Sequence, residues 1–358
     1  MGLNPPSPKP FIIPIFLPHT GCPHRCAFCD QSAITGQRAD FPHPEQVREE
    51  IQTFLGYRKE ARAPVQISFY GGNFLGQSEK AVRRLLDLAS EFIAQGSVDS
   101  IRFSTRPDTI DPTRLAWLAD HRVATVEIGA QSMNDAVLKK AMRGHTARDT
   151  ENAMALLKAG GYETGLQIMP GLPGDTAAGT LKTGRRVLAL SPDFIRIYPA
   201  LVLAGSPLAA WFETGRYAPL SLDAAVELTA RLYRLFENGG IRVIRMGLQA
   251  SASLRPGTSV LAGPYHPAFG QLVMAKLFYD GVCRVLERAA AGADTISIAV
   301  NPRSVSNLRG QKNRNLELLK RRFSVPGITL LPSPALDETS FSVNAGDPVS
   351  ILNPDEPL

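Results

Sequence analysis

From residue 11 to about residue 238 the chain repeats one pattern, a short apolar run followed by a loop and an amphipathic segment. The apolar runs fall at 11–17, 65–70, 100–104, 123–128, 164–169 and 194–198. The segments between them carry apolar side chains on one helical face. In 79–94 that face holds Val82, Leu85, Leu86, Phe92 and Ile93. Strand–helix alternation dictates a parallel sheet, because parallel neighbours need a long crossover and a helix supplies one. Six such strands predict an α/β fold, an incomplete (β/α)6 TIM-like barrel over residues 11–240. In barrels of this kind the chemistry gathers on the loops at the C-terminal ends of the strands.

The rest of the chain reads differently. Residues 1–10 are rich in proline and predict an irregular arm. After residue 240, strands are expected at 241–244 and 295–300 and a long helix at 267–290. These predict a C-terminal α/β extension over 241–330, packed on the barrel. Residues 331–358, proline-rich and weakly periodic, predict a loosely ordered tail. No apolar stretch approaches the roughly 18 residues of a membrane span. The run at 11–17 contains Pro14 and has no small-residue cleavage site after it, which argues against a signal peptide. No membrane partner and a cytoplasmic location are therefore expected. The net charge of +6 permits an anionic partner without demanding one.

The first strand is followed by His19-Thr-Gly-Cys22-Pro-His24-Arg-Cys26-Ala-Phe28-Cys29, so three of the four cysteines fall within eight residues. Such clustering in a large chain points to metal rather than to disulfides. Thiolates suit iron–sulfur clusters and zinc. A [4Fe–4S] cube normally takes four cysteines; three leave one iron open, and S-adenosylmethionine can chelate it through its amino and carboxylate groups. The alternative is zinc held by the cysteines with His19 or His24. Phe28 is placed to pack beside an adenine, or to fill a core.

The other strand ends carry the remaining candidates. The run at 65–70 ends in Gly71-Gly72-Asn73, where glycine lets backbone approach a ligand closely. The third strand leads into Ser104-Thr-Arg106, and Arg106 is a candidate for a carboxylate. The fourth leads through Glu127 to Gln131 and then to Arg143-Gly-His145-Thr146. Gln131 suits ribose or methionine groups, and Arg143 a bidentate carboxylate pair. The fifth strand brings Gln167, within reach of ribose hydroxyls.

Together these motifs, over about residues 14–247, resemble the radical S-adenosylmethionine superfamily. They are most similar to the branch containing the Elongator catalytic subunit and oxygen-independent coproporphyrinogen oxidase. The segments Arg196-Ile-Tyr-Pro199 to Gly205-Ser and Thr214-Gly-Arg216-Tyr217 resemble the Elongator type. The resemblance implies that Cys22, Cys26 and Cys29 ligate the cluster. It implies that Gly71 and Gly72 bind the methionine amino group, and that Gln131, Arg143 and Gln167 contact the cofactor. Ser104 stands where relatives often carry glutamate, and Gln167 where some carry aspartate. A flavodoxin- or ferredoxin-like reductant protein is implied as partner. About 110 residues follow Gly247, against the roughly 150 of a usual domain, so no acetyltransferase activity is expected. The segments 263–270 and 301–312 resemble the C-terminal extension of short Elongator-like proteins.

Between Arg303 and Arg322 lie seven basic residues against the single acid Glu317. Such a stretch suits RNA phosphates or forms a solvated face. Tyr265 and His266 are candidates on the substrate side, and Cys283 reads as a buried core thiol. The function expected is reductive cleavage of S-adenosylmethionine to a 5′-deoxyadenosyl radical that abstracts hydrogen from a substrate, with RNA the first guess. Alternatives are the same chemistry on a small molecule, or a cluster-containing haem carrier.

Overall fold

The computed structural model describes residues 10–17, 20–30, 42–58, 63–249, 251, 253–288 and 295–352. Among them, strands β1 (Phe11–Leu17), β2 (Val65–Gly71), β3 (Ser100–Thr105), β4 (Val123–Gln131), β5 (Glu163–Ile168) and β6 (Phe194–Ile197) stand side by side in chain order. Every neighbouring pair is parallel. Helices Pro44–Gly56, Glu79–Ala94, Ala147–Ala159 and Ala177–Leu190 supply crossovers. Each starts where the sequence provides a partner for otherwise unpaired N–H groups. Ser78, Thr146 and Thr176 accept from the backbone N–H three residues on, and Asp149 completes a capping box with Thr146.

The sheet has a seventh strand, β8 (Arg242–Met246), parallel to β6. The six-strand expectation and its boundary at residue 240 are corrected here: the strand assigned to the extension closes the barrel sheet. Between β6 and β8 lie a short β7 (Val202–Leu203), helices Pro207–Glu213 and Leu222–Asn238. The β7 strand pairs antiparallel with β9 (Val260–Ala262).

Side chains alternate across each strand. One set, including Ile13, Ile15, Ile67, Phe69, Ile101, Phe103, Val126, Ile128, Ile195 and Ile197, is buried against the helices in one core. Phe74 joins it, stacked between Phe69 and Phe103 with ring centroids 5.1 and 4.5 Å away. The other set is polar and lines the opposite face. There Tyr70 of β2 reaches Arg196 of β6 at 3.4 Å. Those strands are four steps apart, about 19 Å in a flat sheet, so the sheet curls into a half-barrel with the polar set inside.

The C-terminal region forms a second core. Helix Phe269–Arg288 buries Val273, Leu277, Phe278 and Val282 against β10 (Thr295–Val300) and helices Val305–Arg309 and Arg314–Phe323. Of the loose tail expected over 331–358, residues 331–352 are described and carry ordered strands, while 353–358 lie outside the described residues. β11 (Gly327–Pro332) pairs parallel with β10, and β12 (Ser340–Val343) and β13 (Val349–Ser350) complete the sheet. Phe341, fully buried beside Phe278, gives that segment an apolar anchor. Its weak periodicity reflects short strands broken by turns. Cys283 is buried there, as expected.

Candidate functional site

The chain leaving β1 loops over the C-terminal edge of the sheet and is held there by its neighbours. Ala27 N–H donates to the Ala141 carbonyl (2.9 Å), and Leu208 N–H donates to the Ala27 carbonyl (2.8 Å). Asn73 Nδ2 donates to the Gly21 carbonyl (2.9 Å). Cys26 is buried, and Cys22 and Cys29 are half-buried. Burial pushes the Cys29 thiol up to about 12, with Cys26 and Cys22 adding to the rise and Arg143 opposing it. Burial raises Cys22 as well, against the pull of Arg143 and Arg106. These thiols are neutral until something positive binds them, so metal binding releases protons here.

Arg143 joins the loop to the sheet. Its Nη1 donates to Cys26 Sγ (3.3 Å) and its Nη2 to the Gly129 carbonyl at the end of β4 (2.6 Å). Its Nε is buried without a partner. Arg106, 2% exposed, forks onto Asp108 at 2.9 and 2.8 Å. That engagement leaves one donor, Nη1, buried and unpartnered, for a carboxylate. Two orphaned guanidinium donors thus lie in the electrostatic neighbourhood of Cys22. Buried donors without acceptors are costly, and a bound carboxylate is the kind of group that satisfies them.

Gln131 sits at a bulge in β4 with φ 65°. Its Oε1 accepts from Gln167 Nε2 (3.1 Å), so the structure brings these two candidates together. Gly129 is the residue sequence reasoning missed. A Cβ there would lie 2.7 Å from Gln131 Nε2 and 2.8 Å from Arg143 Nη2, so only glycine lets both side chains close over the strand end. The signal was a glycine inside a strand pattern. His145 lies beside them; its Nε2–H donates to the Ala130 carbonyl (3.2 Å). Burial, with Arg143 and Arg106 nearby, lowers its pKa to about 3.

The glycine pair after β2 behaves differently at its two positions. Gly71 has φ +99°, open only to glycine. A Cβ on Gly72 would meet the Leu17 and Thr20 carbonyls at 2.4 Å; its close approach is to the protein's own chain entering the cysteine loop. Asn73, expected as a cofactor contact, is fully buried. Its Oδ1 accepts from Thr105, Arg106 N–H and Thr109. Its amide is occupied by the protein, so it pins three loops instead. Phe28 wedges between Val137, Ala141, Leu172 and Ala200 on one side and Val202, Leu208 and Tyr217 on the other. Ser104 is half-buried on the strand face that carries Arg102. Tyr265 and His266 are half-buried, and His266 Nε2 faces Gln311 Nε2 at 3.2 Å.

The zinc alternative named two histidines. His24 lies on the Gly144 backbone, its ring within 2.2–2.8 Å of where a Cβ would stand. His19 lies outside the described residues. Among the described residues no three His, Cys, Asp or Glu side chains converge on a single-ion site.

Beneath the loop, the half-barrel interior holds a charge cluster. Glu127 takes Arg196 Nε (2.6 Å) and Nη2 (3.1 Å), faces Arg102 Nε at 2.9 Å and accepts from the Tyr70 hydroxyl (3.3 Å). Arg196 Nη1 donates to Tyr198 (3.1 Å). The Arg102 guanidinium lies 4.7 Å over the Phe194 ring. Burial works against the charge on Arg196, but Glu127, Tyr198 and Tyr70 together outweigh it and the pKa is raised. Burial, and then Glu127, raise Tyr70.

The sequence pattern of the Radical SAM superfamily matches residues 16–186, and that of the radical SAM C-terminal domain matches 192–278. The chain belongs to the radical S-adenosylmethionine superfamily. Among its relatives is the tRNA uridine(34) acetyltransferase of Dehalococcoides mccartyi, 26% identical over 231 residues, 55% of this chain and 50% of that one. Elongator complex protein 3 of Danio rerio is 27% identical over 269 residues, 68% of this chain and 47% of that one. The chain spans about half the length of these curated relatives. The solved structure of archaeal Methanocaldococcus infernus Elp3 with an N-terminal deletion aligns with TM-score 0.60 at 20% identity. It covers 77% of this chain and 64% of that one, and so shares the fold. The cofactors of the radical SAM superfamily are a [4Fe–4S] cluster and S-adenosylmethionine. Among the described residues no helix is long and apolar enough to cross a membrane.

Proposed function

We propose that Cys22, Cys26 and Cys29 hold three corners of the cluster, and that S-adenosylmethionine fills the space between the fourth and the ends of β2 to β5. The observation that carries this is Arg143, which bonds Cys26 Sγ and the β4 terminus at once. Held by these three cysteines, a cluster would supply the electron for reductive cleavage of S-adenosylmethionine, chemistry that would lead to hydrogen abstraction from the substrate. The chain's own residues orient and neutralise. The backbone around Gly71 and Gly72 accepts from the methionine ammonium, while the free Nη1 of Arg106 and Nε of Arg143 face its carboxylate. Gln131 and Gln167, already paired, offer donors to the ribose. Ser104 lies on the same inner face.

The substrate in this reading is RNA. A relative named as acting on tRNA supports it, and so does the C-terminal basic stretch. There Arg303, Lys320 and Arg322 are paired with Glu338, Glu317 and Glu287. Arg309, Lys312, Arg314 and Arg321 are exposed and, among the described residues, have no acidic partner. Phosphates neutralised by such residues give binding that weakens steeply with salt. The test is anaerobic reconstitution followed by assay for 5′-deoxyadenosine with and without tRNA. Formation stimulated by tRNA supports the reading. Formation indifferent to tRNA refutes the RNA part, and none with any reductant refutes the enzyme.

A further inference from the structure

Residues 140–146 run past the cysteine loop with strict alternation of burial. Ala141, Arg143 and His145 face inward, onto Ala27, Cys26 and the end of β4. Lys140, Met142, Gly144 and Thr146 face solvent. On the loop itself, His24 and Arg25 are exposed immediately before the buried Cys26. The two exposed sets meet in one cleft, whose lining includes His24, Arg25, Lys139, Met142 and Gly144.

This face has the anatomy of a protein-docking surface. Met142 is 44% exposed and has φ 54°, a left-handed conformation that L-residues rarely adopt. It presents a flexible apolar side chain at the centre of the patch. Beside it lie Lys139 and Arg25, whose guanidinium donates to the neutral Gly205 carbonyl (2.7 Å), while Lys140, at the edge of the cleft, carries its ammonium toward Gly174; among the described residues neither lysine has an ion pair. The one acid in the cleft, Asp135, accepts from Ala147 N–H (2.7 Å). The face is therefore basic around an apolar centre. Among the described residues its lining holds no Phe, Tyr or Trp on which bases would stack. From Met142 to Cys26 Sγ runs a path of one peptide unit, the Arg143 side chain and one hydrogen bond.

We propose that an acidic one-electron carrier protein, a flavin or iron–sulfur protein, docks on Arg25, Lys139, Lys140 and Met142 to reduce the cluster. This rests on the reading that Cys22, Cys26 and Cys29 hold that cluster. One electron leaves the carrier, which is oxidised, and enters the cluster, which is reduced. No bond forms or breaks.

The test follows reduction of the cluster in the reconstituted full chain by stopped-flow, with excess reduced flavodoxin as the carrier. The K139E/K140E variant is compared with wild type and with R309E/R314E, a charge reversal of equal size on the C-terminal region. The cluster spectrum and reduction by dithionite are expected to be unchanged in both variants. Reduction by flavodoxin is expected to slow at least tenfold in K139E/K140E alone and to lose its dependence on ionic strength, because steering by the patch is gone. An unchanged rate overturns the proposal. Equal slowing in R309E/R314E overturns it too, since overall charge would then be responsible. Loss of tRNA binding in K139E/K140E with carrier reduction intact assigns the face to RNA instead. A wild-type chain that forms no cluster fails before any carrier is added, and that failure belongs to the cysteine reading.

Discussion

Replacing Glu127 with glutamine keeps the shape of the barrel's central side chain and removes its charge. In the native protein the carboxylate is 7% exposed, Arg102 is 7% exposed and Arg196 is 17% exposed. Glu127→Gln leaves two guanidinium groups buried together with no anion. Stripping one partner from a buried ion pair costs about 3–5 kcal/mol, because the remaining charge has lost both its hydration and its counterion. At about 2–4 °C per kcal/mol for a domain of this size, the melting temperature should fall by roughly 6–20 °C. Thermal unfolding of the apoprotein by circular dichroism measures it. Adding Arg196→Met removes one of the stranded charges, so the double variant should recover about 1–2 kcal/mol over Glu127→Gln alone. A Glu127→Gln loss under about 1 kcal/mol would refute the argument. So would additive losses in the double variant, since β2, β3, β4 and β6 would then not be joined through this carboxylate.

Alanine at any one of Cys22, Cys26 or Cys29 should abolish the visible absorption and iron content of the reconstituted protein. Retention of both in all three variants would remove the cluster from this loop. Gly129→Ala should leave the fold intact but displace Arg143 and Gln131, given the 2.8 and 2.7 Å approaches. A loss of S-adenosylmethionine affinity on the order of tenfold, about 1.4 kcal/mol, is expected by equilibrium dialysis. His145 is held neutral, with its pKa lowered to about 3 from 6.5. Its contribution is fully present above pH 6.5. It is lost as pH falls toward 3, because the unfolded chain takes up the proton first. The slope approaches about 1.4 kcal/mol per pH unit. His145→Gln should flatten that part of the stability profile measured by urea unfolding, and an unchanged slope would show that His145 is not the titrating group.

Much of the fold was legible because local chemistry and global architecture agree. Each of the six expected strands exists, and Ser78, Thr146 and Thr176 open helices where the periodicity begins. The seventh strand was visible as an apolar run, but not its place in the sheet. Arg242, Val243 and Met246 look the same whether they extend a barrel or start a new unit, and only pairing with β6 decides. The strands at 327–350 were missed because they are short and turn-rich, and Phe341 reveals its purpose only beside Phe278. At the site, candidates were found by type and strand-end position. That reasoning does not reveal which bonds a side chain has already made. Asn73 was therefore expected to serve a ligand, whereas Thr105 and Thr109 engage its carbonyl, and Asp108 engages two of the donors that Arg106 was expected to offer.

Three cysteines in eight residues, set after the first of a series of strand–helix repeats, were enough to point to thiolate–metal chemistry and to the class of fold. Thiolate affinity and hydrophobic period are properties of residue type and spacing, which any sequence displays. Partnership is not. Glu127 meets Arg102 and Arg196 only because the sheet curls, and Arg143 reaches Cys26, 117 residues away, only because Gly129 leaves room. Curvature and clearance arise from the packed chain as a whole, so the inner charge cluster and the clasp on the cysteine loop were decided by tertiary structure.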